Sequence, residues 1–183
     1  MGYPLLIIGV ALWSGAHLFK RLAPERREVL GDAGKGLVAI LLLLSIAMMY
    51  FGYVWADPIP LWRGPAFLVH LNNLLMVFAF YLFAASGLQT AITQRIRHPQ
   101  LTAVKTWAVA HLLVQGSVAG IILFGGILAW AVVSVILINR AKRHWDRPGP
   151  AGWPRELAAV VIALVATYLV GQLHAWLGVW PFG

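Results

Sequence analysis

Gln94-Arg95-Ile96-Arg97-His98-Pro99-Gln100-Leu101-Thr102-Ala103-Val104-Lys105-Thr106-Trp107-Ala108-Val109-Ala110-His111-Leu112-Leu113-Val114-Gln115 passes from a basic turn into an apolar run. Proline is tolerated in the first turn of a helix, so Pro99 marks where that helix starts. The helix carries one imidazole, His111, inside its apolar length. Burying an imidazole in lipid costs free energy unless it meets a hydrogen-bond partner, a protein interior or a ligand. His111 is therefore a candidate site residue, and the question becomes what it faces.

The rest of the chain makes lipid the right solvent to consider. Of the 183 residues, 61% are hydrophobic and 11% charged, and the mean hydropathy is +0.79. That composition lies outside soluble globular usage and identifies an integral membrane protein. Spans of about 20 residues each use nearly all of the length, so residues 1–183 form one membrane domain with no separate soluble part. The net charge of +8 sits in short loops between apolar runs. It reads as a topology signal, and no nucleic-acid partner is expected. With no Cys in the chain, thiolate ligands, disulfides and a Cys nucleophile are excluded, and metal chemistry has to run through the six histidines.

Taken in order, the apolar runs predict an all-α, polytopic bundle of six transmembrane helices. The first covers Gly2 to Phe19 and the second about Gly36 to Tyr53, separated by a basic loop from Lys20 to Lys35. The third runs from about Pro65 to Ala85, the fourth from about Leu101 to Gln115, the fifth from about Val118 to Asn139 and the sixth from about Glu156 to Leu177. Pro148, Pro150 and Pro154 are expected to keep the loop from Arg140 to Arg155 non-helical. Gly116 and Gly120 have the spacing of a close helix contact. Twelve of the 14 Lys and Arg residues fall in loops one, three and five, and Lys105 lies near the loop-three end of span four. The positive-inside rule then puts those loops in the cytoplasm and both termini outside.

Depth along the helices, at about 1.5 Å per residue, sorts the histidines. His17 falls in the cytoplasmic half of span one and His111 near the midplane of span four, so tilt of a few ångströms would bring them level. His70 and His174 fall near the outer surface, and His98 and His144 in cytoplasmic loops. Zinc asks for three or four protein ligands, and the spans carrying His17 and His111 hold no Cys, Asp or Glu. A haem asks for one or two axial imidazoles in an apolar slot. Trp13 shares the face of His17 and Trp107 that of His111, while Lys20, Arg21 and Lys105 lie toward the cytoplasmic rim, where propionates would pair with them. Helix-to-helix hydrogen bonding accounts equally well for either histidine taken alone. Asn73 is the expected partner of His70, His174 reads as interfacial beside Trp176 and Trp180, and His98 and His144 read as solvated.

Arg97-His98-Pro99-Gln100, the run from Trp107 through Ala110-His111-Leu112-Leu113, Gly15-Ala16-His17-Leu18 near the start and His174 near the end together resemble the NnrU family of bacterial membrane proteins. That family is similar to 15-cis-zeta-carotene isomerase, a haem b membrane enzyme. The resemblance implies a multi-pass protein of the bacterial inner membrane, associated with denitrification through nitrite and nitric oxide metabolism. It also implies a haem b iron held by His17 and His111. The alternative that it carries is a haem-dependent cis–trans isomerase, in which a reduced iron loses one His ligand and meets a carotenoid-like polyene. The molecule met would then be a lipid-soluble polyene in one case and a small nitrogen-oxide ligand in the other. Where the isomerase has a cysteine, three residues before the second ligand, this chain has Ala108. Arg-His-Pro turns also resemble those of isoprenylcysteine carboxyl methyltransferases, but the tyrosine of that pattern is replaced by Leu101 and its downstream acids are absent.

Overall fold

A computed structural model describes residues 1–149 and 152–182, and these are α-helical apart from their connections and one isolated bridge between Pro60 and Ser117. Pro150, one of the prolines expected in the last loop, lies outside the described residues. The first helix, α1 (Gly2–Leu22), ends with Lys20 and Arg21 in its last turn, where cations offset the carbonyl end of the helix dipole. A short α2 (Pro24–Val29), with Pro24 in its first turn, lies within the basic loop from Lys20 to Lys35. Then come α3 (Gly31–Val54) and α4 (Leu68–Leu88). A single 3₁₀ turn at Ala91–Gln94 precedes α5 (Pro99–Val114), whose first-turn proline is the one expected. α6 (Val118–Ala141) contains a π turn over Ile121–Gly125. The last helix, α7 (Trp153–Trp176), starts with Pro154 in its first turn, so that proline opens a helix and does not prolong the loop.

Five of these helices, α1, α3, α4, α6 and α7, are long and apolar enough to cross a membrane. α5 has 16 residues, about 24 Å of helix against a hydrocarbon core of about 30 Å. Chain connections nevertheless run it from one end of the bundle to the other. At its start, Arg97 donates to the carbonyls of Lys142, Arg143 and His144 just after α6. His98 Nε2 lies 2.8 Å from Asn139 Oδ1 on α6. At its finish, Gly116 O accepts from Leu61 N at 2.7 Å and Trp62 N at 3.1 Å, and Tyr53 Oη donates to Gln115 Oε1 at 3.2 Å. Tyr3 Oη donates to Asp57 O at that same end. Loops three and five thus meet at one end of the bundle, and loops two and four meet at the other beside the N-terminus.

α1 packs on α3, α4 carries both α5 and α7, and α6 stands between α1 and α5. Leu6, Met49, Ala119, Ile127, Trp130 and Ala131 form the core of the first group. Small residues let the backbones approach closely, as is usual where lipid removes the hydrophobic drive between helices. Gly52 lies against Leu6 so closely that a Cβ there would strike its backbone nitrogen. Gly116 has no room either, because the Trp62 carbonyl oxygen occupies the space, so its smallness serves the loop-two contact and not a helix pair. The outward faces stay apolar, with Leu164 and Tyr168 of α7 and Leu43 of α3 more than half exposed, as a bilayer-facing surface requires.

Replacing Gly52 by Leu is expected to separate α1 from α3 and cost about 2 kcal/mol or more. Thermal unfolding in detergent should show a clear fall in Tm. Gly15→Ala, at a position with open space around it, should leave Tm unchanged or slightly raised.

Candidate functional site

Three histidines on apolar helices share one local device. His17 Nδ1 is 3.1 Å from Trp13 O, His111 Nδ1 2.9 Å from Trp107 O, and His174 Nδ1 2.8 Å from Val170 O, each the carbonyl four residues back. A carbonyl oxygen only accepts, so Nδ1 carries the hydrogen and Nε2 presents its lone pair. None of the three Nε2 atoms has a hydrogen-bond partner among the described residues. A ring oriented through Nδ1 with Nε2 free is the form in which histidine binds a metal.

Their surroundings differ. His17 lies among indoles: its ring centroid is 4.2 Å from that of Trp13 and 4.6 Å from that of Trp130, and the two tryptophans meet edge to face at 5.5 Å. Both indole N–H groups are buried without an acceptor among the described residues. His111 stacks on Phe124 at 4.6 Å and 27°, with Trp107 5.1 Å from each of them. Phe124 lies in the π turn of α6. π turns interrupt the regular helical register and are frequent at functional sites. The third ring beside His111 is His174, with centroids 6.5 Å apart and planes inclined at 39°.

His17 and His111 are accordingly not brought together. Each leans on α6, but on Trp130 and Phe124 respectively, about 9 Å apart along that helix. The similar depth expected from residue counting fails because α5 is short: His111 falls in its last turn, beside the linkage to Tyr53 and loop two. The basic residues disperse as well. Lys105 lines a shallow groove of about 410 Å³ with Leu75, Thr106 and Leu128, on another face of α5. Lys20 lines a crevice beside α2 with Arg27 and Asp32, and Arg21 is exposed at the same end.

The chain belongs to the NnrU family. The sequence profile of that family, described as NnrU protein, matches residues 5–181, nearly the whole length. No curated protein and no solved structure matches the chain. Within this NnrU chain the Arg97-His98-Pro99 motif ties the start of α5 to the end of α6 through the bonds of Arg97 and His98 described above. His98 is therefore a linked residue and not a solvated one. His70 is exposed and its expected partner Asn73 instead accepts from Asn72 Nδ2 at 3.1 Å. His144 pairs with Asp146 at 3.1 Å on the surface. Glu156, which the sequence did not single out, fastens α7 to the end of α4 by accepting from Tyr81 Oη and Ala91 N. Its lone carboxylate in the first turn of an apolar run was the available signal.

Among the described residues no three His, Asp or Glu side chains gather as a metal site. A centre built wholly from protein ligands, such as closed zinc, does not suit that donor set. One that supplies its own equatorial ligands and asks for one or two imidazoles does. Arg97→Lys, which keeps the charge but loses the fork that reaches several carbonyls, is expected to lower stability by about 1 kcal/mol. A Tm measurement should find Arg97→Lys less stable than His98→Gln, whose amide retains a donor for Asn139.

Proposed function

We propose that this chain is a six-span protein of the bacterial inner membrane that binds one haem b, with His111 as an axial ligand, and that it serves nitrite and nitric oxide metabolism as the NnrU resemblance implies. The observation that carries the haem reading is the state of His111: a half-buried ring in an aromatic setting, oriented by the Trp107 carbonyl, with a free Nε2. The resemblance offers His17 as the second imidazole, but that ring lies on Trp13 and Trp130, away from His111. When bound, the haem would supply a redox-active iron in an apolar, water-poor setting. The residues of the chain hold and orient it: Trp107 O sets the tautomer of His111, while Phe124 and Trp107 wall the ring and exclude water.

The six-span reading is supported by the meeting of odd loops at one end and even loops at the other, and by 12 of the 14 basic residues falling in odd loops. α5 is short enough that the bilayer would thin around it or its flanking residues would reach to the interface. A reporter that works only outside the cytoplasm, fused after Gly183, should be active. Cytoplasmic activity of that fusion would refute the six-span topology.

The haem reading is tested on protein purified in mild detergent from cells supplied with haem precursor. Its oxidised and reduced absorption spectra should show a b-type haem near one per chain. His111→Ala should abolish or strongly reduce binding. A wild-type preparation without haem that also takes up none on titration would sink the reading.

A further inference from the structure

We propose that the second axial ligand, across the iron from His111, is His174. This rests on the haem reading above and decides which residue completes it. Two imidazoles on one iron each place a nitrogen about 2 Å from the metal, and the ring centre lies about 1 Å beyond it, so the two ring centres stand about 6 Å apart. His111 and His174 are 6.5 Å apart, centroid to centroid, with an inclination of 39°.

The donor chemistry agrees with the spacing. Both rings spend their Nδ1 hydrogen on their own helix, at 2.9 Å and 2.8 Å, so each of these neighbouring rings carries an unprotonated Nε2. Two lone-pair nitrogens cannot bond to each other, and no donor among the described residues serves either. A Lewis acid that takes two nitrogen ligands, such as a metal ion, would satisfy both at once. His17 has no such partner: its nearest rings are the two indoles, whose N–H groups cannot ligate iron.

The fold shows why His174 arrives there. Ala159 and Ala163 are buried on α7, and their small side chains let it lie close along α4, which also carries α5, while the smallness of Gly171 makes room for Phe182. His174 falls about three turns beyond Ala163 on that same face. The chain after α7 then folds back, with Val179 N donating to His174 O at 2.9 Å and the Phe182 ring packed on Gly171. That return packs the end of the chain against the last turns of α7.

The test uses the full-length protein with haem bound, read by absorption and electron paramagnetic resonance. Wild type and His17→Ala should both be low-spin and six-coordinate. His174→Ala should become high-spin, and free imidazole should restore the low-spin signal, which separates a lost ligand from a lost fold. His174→Met should show methionine–iron ligation and a raised midpoint potential, as a His/Met pair gives. If His174→Ala stays low-spin while His17→Ala turns high-spin, the assignment is overturned and the haem reading stands. If both His174 variants lose haem and imidazole does not return it, His174 serves the fold and the assignment is likewise overturned. Wild type without haem removes both.

Discussion

Backbone polar groups at membrane depth have to be satisfied within the chain, because lipid offers them nothing. In this bundle that constraint falls on the places where helices end. Arg97 gathers the carbonyls that follow α6, Gly116 O takes two amide hydrogens from loop two, and Glu156 takes an amide hydrogen from the 3₁₀ turn after α4. These bonds join segments distant in the chain, so satisfying each helix end also sets which helix lies beside it. The order of packing, α1 on α3 and α4 carrying α5 and α7, follows from links of this kind together with small residues at the contacts.

The membrane histidines obey the same constraint by a local route. Each uses its own helix as partner, which settles Nδ1 without any tertiary contact and leaves Nε2 for tertiary structure to employ. At His17 the neighbours are two indoles with unpartnered N–H groups, an environment of donors and ring faces. At His111 the neighbours are a phenyl ring and a second imidazole. Two sites with identical local chemistry therefore differ entirely in what they offer a metal. The π turn of α6 contributes to the difference, since it holds Phe124 against His111 while Trp130 meets His17.

Much of the fold was legible in the residues themselves. Hydropathy and the basic loops marked each apolar segment, and Pro99 marked the start of α5, because helix initiation and partition into lipid depend on residues near in sequence. The family was legible too, in Arg97-His98-Pro99 and the surroundings of His111 and His17, and the family profile covers residues 5–181. The helix start at Pro154 was missed, because a proline reads as a breaker unless it falls in the first turn, and the short helix Pro24–Val29 carried no apolar run to mark it.

What the sequence determined by itself is a multi-pass helical membrane protein of the NnrU family, with imidazoles placed inside its apolar segments. What only the tertiary structure decided is which of them meet. Counting residues along α1 and α5 assigns depths but says nothing about azimuth or about which helix intervenes, and α6 stands between those two. His174 looked interfacial from its tryptophan neighbours in sequence. It lies beside His111 because α4 carries both helices and the small face of α7 lets it approach. That relation depends on side-chain volumes on three separate helices, and no single stretch of the chain contains it.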